Sequence, residues 1–234
     1  MPAFLLKLSG EALGGEAGVG IEPEILKHYC DEIEAAHREG IKLAVVLGGG
    51  NLFRGAHLAA AGMDRVIGDR MGMLATVMNG LALNDFLRRR GIVSQLFSAV
   101  PMPGMVEVYN RDTAKAAMQN GAVVILTGGT GNPFFTTDTA ACLRAVELGV
   151  DAILKATNVD GVYSSDPKKD ASALRFEHIT YNEVLERELA VMDLTAIVLC
   201  KENDLPLVVF DSSESRSLTR IAAGDHVGTR VGAT

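Results

Sequence analysis

The residues best suited to chemistry in this sequence are glycines and small polar side chains that follow apolar runs. The segment GAVVILTGGTGNPFFTTDTAACLRA, residues 121–145, passes from β-forming residues through glycine pairs to a Thr-Thr-Asp-Thr that opens a helix. Glycine turns bring backbone N–H groups close to an anion, and the positive end of a following helix adds to the attraction. A second glycine turn, Gly48–Gly50, follows another apolar run. Together the two turns predict a phosphate pocket.

A phosphate pocket needs cations, and two basic residues lie near these turns. Lys7 interrupts an apolar run directly before a Leu-Ser-Gly, and Arg54 lies four residues past Gly50. A lysine in a strand commonly marks an edge strand, but its place beside Ser-Gly favours a phosphate-binding role. Arg65 and Arg70 could reach the same anion or be solvated helix charges. The chain has neither a P-loop G-x-x-x-x-G-K-[ST] nor a Rossmann fingerprint, so neither of those sites is predicted.

Asp138 and Asp69 are the carboxylates nearest to the turns. Asp138 begins the helix after the fourth predicted strand, where it could cap the helix or be a first-turn acid favoured by the helix dipole. Alternatively, it could hold a metal ion or orient Lys7. Asp69 precedes a methionine-rich helix and could cap it, or accept hydrogen bonds from ribose hydroxyls. Met71, Met73 and Met78 of that helix are predicted to fill the core. The five histidines have no metal-ligand spacing, so they predict no metal centre.

Composition and charge restrict the class of protein. The 234 residues are 48% apolar and 22% charged, which is ordinary for a compact globular protein. The formal charge of −7 argues against nucleic acid or an anionic membrane as the main partner. We find no signal-peptide pattern and no apolar run that approaches a membrane span. We therefore expect a cytoplasmic protein in which Cys30, Cys142 and Cys200 are reduced core thiols.

Hydrophobic patterning predicts alternating strands and helices. The predicted strands are 3–8, 41–47, 92–97, 123–127, 152–156, 205–210 and 226–231. The predicted helices are 21–40, 70–90, 110–120, 137–148, 215–223 and one that starts at the capping-box sequence Thr180–Glu183. This alternation is typical of an α/β fold, here a three-layer αβα sandwich with a mostly parallel central sheet, as one domain over residues 1–234. Residues 9–20 and 157–174 are predicted to be functional surface loops.

The ends of the predicted strands indicate where a ligand would bind. In an open parallel sheet, ligands bind outside the carboxyl ends of the strands. Four of these ends are rich in glycine and small polar residues, namely 7–10, 48–51, 128–131 and 155–158. They would gather at one edge of the sheet, which predicts a nucleotide or phosphate pocket there.

Six segments spread along the chain carry a family resemblance. They are KLSGEAL, GGGNLFRG, GDRMGMLATVMNGLA, GTGNPFFTTDTAA, KATNVDGVYSSDP and VMDLTA. Here the sequence resembles the bacterial-type UMP kinases of the amino-acid-kinase superfamily, essentially from end to end. The resemblance implies the amino-acid-kinase fold, which binds ATP without a P-loop, and transfer of the ATP γ-phosphoryl group to UMP in pyrimidine nucleotide biosynthesis. It also implies Mg²⁺ carried with ATP, a homohexamer, GTP as an activator and UTP as an inhibitor.

The resemblance implies a role for each matching residue. ATP would contact Lys7, Leu8, Ser9, Gly10, Gly50, Arg54, Thr157, Asn158, Tyr163 and Asp166. UMP would contact Gly49, Asp69, Thr130, Gly131, Asn132, Pro133, Phe134, Phe135, Thr136 and Thr137. The catalytic residues would be Lys7, Arg54 and Asp138, with Asp138 also a possible Mg²⁺ ligand. The region linked to GTP activation would be Gly15, Glu16, Ala17, Gly18, Val19 and Gly20.

The residue types agree with that reaction. A phosphate acceptor has its second pKa near about 6, so it is already an anionic nucleophile and needs no catalytic base. The difficulty is to bring two polyanions together. A charge pair at about 4 Å is worth about 4 kcal/mol at an effective dielectric near 20, so one lysine cannot offset several phosphate charges. Lys7, Arg54, Mg²⁺ and helix N-termini would share this task.

Three other functions fit part of the sequence. A kinase of the same superfamily acting on aspartate, glutamate or carbamate should lack the Met-Gly-Met helix and the Phe-Phe-Thr-Thr-Asp turn together. A non-catalytic nucleotide sensor would bind its ligand without producing ADP. A dinucleotide oxidoreductase is disfavoured, since no Rossmann fingerprint follows the first strand.

Overall fold

The computed structural model describes residues 1–53, 62–167, 169–170 and 172–232. The strands in this part of the chain are β1 (Ala3–Leu8), β2 (Lys42–Leu47), β3 (Ser94–Ser98), β4 (Glu107–Val108), β5 (Val123–Thr127), β6 (Ala152–Thr157), β7 (His178–Thr180), β8 (Leu207–Asp211) and β9 (Thr229–Gly232). They form one sheet in the order β4-β3-β5-β2-β1-β6-β8-β9-β7. The strands from β4 to β8 in this order are parallel, whereas β9 is antiparallel to β8 and β7 runs with β9.

Helices cover both faces of the sheet. Within the described residues they are α1 (Gly10–Leu13), α2 (Pro23–Arg38), α3 (Arg65–Arg89), α4 (Arg111–Gln119), α5 (Thr137–Leu148), α6 (Tyr181–Glu186), α7 (Leu194–Glu202) and α8 (Ser217–Ala223), with a 3₁₀ turn at Gly15–Ala17. No helix in these residues is long and apolar enough to cross a membrane. The predicted three-layer αβα sandwich with a mostly parallel sheet is therefore confirmed.

Successive side chains of β1 point to opposite faces of the sheet and join two separate core layers. Leu5 packs in the layer that contains Ala141 of α5 and Ile197 of α7. Leu6 packs in the layer that contains Leu26 of α2 and Leu83 of α3. Because strands in the middle of such a sheet are buried on both faces, β1, β2 and β5 read as nearly continuous apolar runs. Lys7 lies on the same face as Leu5, the face that α5 covers.

Most predicted elements are confirmed, several with their boundaries. The strands 3–8 and 123–127 and the helix 137–148 match β1, β5 and α5 at both ends, and the predicted capping box at Thr180 is formed. The sequence reading missed α1, α7 and the short strands β4 and β7. The loop expected at 9–20 is therefore partly helical. The last strand is shorter than predicted, beginning at Thr229.

The three cysteines are buried and form no disulfide. Cys142 of α5 and Cys200 of α7 lie side by side, with 2.9 Å between their sulfur atoms. Burial raises the pKa of Cys30 to about 11, which keeps that thiol protonated at neutral pH. This arrangement agrees with the expectation of core thiols.

Glu32 of α2 is a buried carboxylate that caps α8 from a distant part of the chain. Arg216, just before α8, has a φ of 61° and makes no side-chain cap. Instead Glu32 accepts hydrogen bonds from the backbone N–H groups of Arg216 and, at 3.5 Å, Leu218. These N–H groups have no partner within the helix itself, so Glu32 ties α8 to α2.

We expect Glu32→Ala to lower the free energy of unfolding by about 1–2 kcal/mol, since it leaves buried N–H groups without an acceptor. Glu24→Ala is the matched control on the same helix, because Glu24 is exposed and pairs only with Lys27 at the surface. Its effect should stay below about 0.5 kcal/mol. Urea denaturation measures both, and equal losses in the two variants would contradict the capping role.

Candidate active site

The turns after β1 and β2 are packed backbone against backbone at the carboxyl edge of the sheet. A Cβ atom on Gly10 would lie 2.5 Å from the backbone nitrogen of Gly50 and 2.7 Å from the carbonyl carbon of Gly48. On its other side the second turn meets α3, where a Cβ on Gly49 would lie 2.8 Å from the carbonyl oxygen of Gly72. Only glycine fits these approaches, so the glycines fix the positions of the two turns relative to each other and to α3.

Lys7, Lys155 and Asp138 form a charged cluster beside these turns. Lys7 of β1 and Lys155 of β6 are direct neighbours in the register of two parallel strands. Asp138 of α5 lies between them, with 2.7 Å from its Oδ1 to Lys7 Nζ and 2.8 Å from its Oδ2 to Lys155 Nζ. The three side chains are only 9%, 16% and 15% exposed in the order Lys7, Lys155, Asp138. Two ammonium groups share one carboxylate, so the cluster keeps a net positive charge.

The electrostatics of the cluster are dominated by opposing effects of burial and neighbouring charge. Burial tends to raise the pKa of Asp138, but the charges of Lys7 and Lys155 outweigh it, and the pKa of this carboxyl lies below its usual value. Burial lowers the pKa of Lys155, and the neighbouring Lys7 adds to this effect against the attraction of Asp138. A ligand with negative charge would therefore relieve repulsion between the two lysines.

The position of Asp138 is set by the N-terminus of α5. Thr136 is the N-cap residue, and its hydroxyl oxygen accepts hydrogen bonds from the backbone N–H groups of Asp138 and Thr139. Asp193 in turn accepts hydrogen bonds from the hydroxyls of Thr136 and Thr139 and also caps α7. Asp138 is thus not the N-cap residue, but it is an acid in the first turn of α5, the other form of the structural alternative. Orientation of Lys7, the other suggested role, agrees with the contact.

A first cavity, of about 190 Å³, opens between the glycine turns and α3. The residues of the predicted UMP set that line it are Gly49, Asp69, Thr130, Phe135, Thr136 and Thr137. Gly131, Asn132, Pro133 and Phe134 belong to the same turn but do not line the cavity. Gly68, Gly72 and Thr76 of α3 also line it, which the sequence reading did not anticipate.

Asp69 lies within α3, four residues after its first residue, so the suggestion that it caps this helix is wrong. Asp64 is the N-cap residue. Asp69 Oδ2 accepts a hydrogen bond from the backbone N–H of Phe134 at 2.7 Å, and Arg65 Nε lies 3.0 Å from Asp69 Oδ1. Phe134 has a φ of 72°, a costly conformation for a residue with a side chain. The Asp69 contact therefore helps to hold the turn that borders the cavity.

A second cavity, of about 630 Å³, lies beyond Lys155. Four residues of the predicted ATP set line it, namely Thr157, Asn158, Tyr163 and Asp166. The segment from Arg187 to Val191, which the sequence reading did not include, lines it as well. Lys155 belongs both to this lining and to the charged cluster, so the second cavity meets the cluster at Lys155.

Other residues of the predicted sites lie outside the two cavities or outside the described part of the chain. Ser9 and Gly10 lie at the carboxyl edge of the sheet beside Gly50. The side chain of Leu8 is fully buried in the core, so only its backbone lies near this edge. Arg54 lies outside the described residues. The segment 15–20 is joined to the second turn, since the backbone N–H of Gly20 donates to the carbonyl of Asn51 at 3.0 Å.

Lys155 of the charged cluster and Asp193, which bonds the threonines beside Asp138, are two residues that the sequence reading did not assign. A signal for Lys155 existed, because ILKAT repeats the pattern of LLKLS around Lys7, a lysine inside an apolar strand followed two residues later by a hydroxyl residue. Asp193 has the form of a helix cap before LTA, but nothing in the sequence shows which second helix it contacts.

The residues present fit a metal ion that arrives with phosphate groups. In the described residues no group of three or more His, Cys, Asp or Glu side chains could hold a metal ion. Asp138 Oδ1 is buried and has no aligned hydrogen-bond donor, although Lys7 Nζ is close. Mg²⁺ is commonly bound by one or two carboxylates together with substrate phosphates, and Asp138 could supply one such ligand.

Comparison with known proteins gives one consistent result. A sequence profile described as the amino acid kinase family matches residues 2–211. The uridylate kinase of Marinobacter nauticus is 56% identical over 227 residues, which cover 97% of this chain and 94% of the relative. The uridylate kinase of Legionella pneumophila (strain Corby) is 55% identical over 230 residues, 98% of this chain and 94% of the relative.

Solved structures agree with these relatives. The UMP kinase from Bacillus anthracis has a TM-score of 0.96 and 38% identity, covering 99% of this chain and 97% of that one. The UMP kinase from Ureaplasma parvum has a TM-score of 0.92 and 35% identity, covering 99% and 98%.

We expect Asp138→Asn to lower the free energy of unfolding by about 3 kcal/mol near neutral pH, because it leaves two buried lysines without a counter-charge. The folded-state pKa of Asp138 lies below its unfolded value of about 3.9, so its stabilisation is present above that pH and is lost as the pH falls through the folded pKa. The difference between wild type and variant should therefore shrink below about pH 4.

Urea denaturation across this pH range measures the effect. Asp85→Asn is the control, since Asp85 forms an exposed pair with Arg89 and should contribute less than about 1 kcal/mol. A difference between Asp138→Asn and wild type that does not change with pH would show that the carboxylate charge is not what stabilises the cluster.

Proposed function

Because this chain belongs to the amino acid kinase family, we propose that it is a kinase that transfers the γ-phosphoryl group of ATP to UMP, giving ADP and UDP. The observation that carries the proposal is the pair Lys7 and Lys155, held by Asp138. Lys155 lines the second cavity, and Thr137, the residue before Asp138, lines the first. Phosphoryl transfer requires a concentration of positive charge between two polyanions, and this cluster provides it. The identity to uridylate kinases over nearly the whole chain supports UMP as the acceptor.

ATP occupies the second cavity in this proposal and UMP the first. Thr157, Asn158, Tyr163 and Asp166 surround the adenosine, and Ser9, Gly10 and Gly50 contact the phosphates. Asp69 accepts hydrogen bonds from the ribose hydroxyls of UMP, while the turn Thr130–Thr137 contacts the uracil. The assignments to adenosine and UMP rest on the lining of the cavities and on the family resemblance. Those of Ser9, Gly10 and Gly50 rest on the resemblance, and Gly50 lines the first cavity.

The charged residues divide the electrostatic work. Lys7 and Lys155 stabilise negative charge on the transferred group, and Asp138 orients both lysines. Arg54 adds a further cation to the phosphates. When bound with ATP, Mg²⁺ would be held by Asp138 and would neutralise part of the phosphate charge. The phosphate of UMP is anionic at neutral pH and attacks without a general base.

The test of the reaction is a coupled ADP-release assay with ATP and Mg²⁺ across UMP, CMP, dUMP, aspartate and carbamate. We expect UMP to give the highest kcat/KM, since the chain has both the Met-Gly-Met helix and the Phe-Phe-Thr-Thr-Asp turn. Aspartate or carbamate as the best acceptor would place the enzyme elsewhere in the family. Binding of nucleotide without ADP production from any acceptor would indicate a sensor instead.

We expect Lys7→Ala to lower kcat about 100-fold or more, because one preorganised positive charge at the transferred group is lost. Stability should change far less, since Asp138 keeps its contact with Lys155. Arg54→Ala should likewise lower kcat. Lys27→Ala is the control because Lys27 forms only an exposed pair with Glu24, and its kcat should equal that of wild type. A folded Lys7→Ala enzyme with normal turnover would refute the role of this lysine.

Regulation and assembly are part of the proposal. A homohexamer is proposed, with GTP as an activator, UTP as an inhibitor and Gly15–Gly20 as part of the effector region, and the protein is placed in the cytoplasm.

The exposed face of α3 supports self-association. Five apolar side chains lie along it at spacings of three and four residues and are each 36–55% exposed, namely Ile67, Met71, Leu74, Met78 and Leu81. Such a continuous apolar stripe is typical of a helix that packs against another protein surface.

We expect Leu74→Glu to shift the protein to a smaller assembly, because it would bury a carboxylate in the contact. Leu174→Glu is the matched control, since Leu174 is 72% exposed and lies outside the stripe. Sedimentation equilibrium measures the mass of both variants. An unchanged mass for Leu74→Glu, equal to that of the control, would exclude α3 as the contact surface.

A further inference from the structure

We propose that Asn79 and Asn51, two buried amides outside the cavities described above, are positioning residues that hold the glycine turn Gly48–Gly50 in its phosphate-binding place. The inference rests on the proposed kinase function and goes beyond it, since neither side chain is assigned to substrate. Asn79 lies on α3, with its side chain fully buried, and Asn51 follows the turn directly and is 1% exposed.

The two amides form a reciprocal pair. Asn51 Nδ2 donates to Asn79 Oδ1 at 3.0 Å, and Asn79 Nδ2 donates to Asn51 Oδ1 at 2.7 Å. The second hydrogen on each nitrogen is used as well. Asn79 Nδ2 donates to the carbonyl oxygen of Gly48 at 2.8 Å, and Asn51 Nδ2 donates to the carbonyl oxygen of Gly20 at 2.6 Å. All four N–H groups of the pair therefore have partners.

This bonding pattern requires asparagine at both positions. Turning either amide over would place an oxygen against a backbone carbonyl and leave a buried donor unpaired, so each orientation is fixed by its surroundings. A fully satisfied buried polar network is rigid, whereas removal of one member leaves the others unpaired in a medium of low dielectric. The pair thus behaves as a single unit that joins α3, the turn and Gly20.

The turn depends on such an external support. Gly48–Gly50 has no side chains with which to anchor itself, and glycine is the residue with the largest conformational freedom. The backbone N–H of Gly48 donates to the carbonyl of Leu8 at 2.9 Å, which ties the turn to β1. The hydrogen bond from Asn79 to the Gly48 carbonyl adds an attraction toward α3, one residue before the N–H groups of Gly49 and Gly50.

Misplacement of these N–H groups should act on the reaction more than on the fold. A displacement of about 1 Å in a group that stabilises a transition state can cost about 100-fold in rate. We expect Asn79→Ala to lower kcat about tenfold or more, with KM for ATP and UMP changed less than about threefold. Asn51→Ala, which leaves the Asn79–Gly48 bond in place, should lower kcat less. The double variant should be no worse than Asn79→Ala, as expected for residues that act as a unit.

The matched control is Asn84→Ala. Asn84 lies on the same helix and its Oδ1 accepts a hydrogen bond from Ser94 Oγ at 2.7 Å, away from the turns. It should lower the unfolding temperature by a few degrees, about as Asn51→Ala does, and leave kcat within about twofold of wild type. A loss of kcat in Asn84→Ala equal to that in Asn79→Ala would show a general effect of loosening α3 and would overturn the proposal.

Hydrogen–deuterium exchange read by mass spectrometry supplies a readout that does not depend on activity. Asn79→Ala should speed exchange in the peptide that covers Gly48–Gly50, and Asn84→Ala should not. Unchanged exchange there, or a folded Asn79→Ala variant with the kcat of wild type, would overturn the positioning role. Wild-type protein that makes no ADP with UMP would contradict the proposed function instead, and the exchange result would still decide whether Asn79 holds the turn.

Discussion

Two lysines on neighbouring strands, held by one carboxylate, are the interaction on which the proposed active site depends. Lys7 and Lys155 occupy the same register of β1 and β6, so their side chains would repel each other at the buried edge of the sheet without Asp138. The carboxylate is in turn placed by Thr136, the N-cap of α5. The pairing of these strands therefore gives the cluster one more positive than negative charge, which favours binding of an anion. The protein as a whole carries a formal charge of −7, so the attraction is local.

The glycine turns add backbone hydrogen-bond donors to the positive charge of the lysines. The turns after β1 and β2 touch through Gly10 and Gly48–Gly50, which brings backbone N–H groups from two strand ends beside the charged cluster. These donors carry no entropy of side-chain ordering, and they are held by close packing and by the Asn51–Asn79 pair. Preorganised donors of this kind stabilise charge that develops in a reaction without having to reorganise. The carboxyl edge of the sheet thus carries both backbone N–H dipoles and lysine ammonium groups, as phosphoryl transfer between two nucleotides requires.

The sequence was sufficient where the determining signal was local. The boundaries of β5 and α5 could be predicted because VVILT is apolar throughout and Thr136 precedes a helical pattern. The alternative that Asp69 caps its helix was wrong because α3 begins earlier, after Asp64. Met71 and Met78 were expected in the core and are exposed, while Met73 is buried; a helix that is apolar on two sides does not reveal which side faces the sheet. Lys155 was missed as a site residue although ILKAT repeats the local pattern around Lys7, because the contact that gives it a role, its pairing with Lys7, joins strands 148 residues apart.

The measurement that tests the central claim most directly is a crystal structure of the protein with UMP, Mg²⁺ and a non-hydrolysable ATP analogue. The account requires the γ-phosphate oxygens to lie about 3 Å from the Nζ atoms of both Lys7 and Lys155, with Asp138 still between the two lysines. Phosphates bound more than about 6 Å from both ammonium groups, beyond the reach of direct charge-assisted hydrogen bonds, would contradict it.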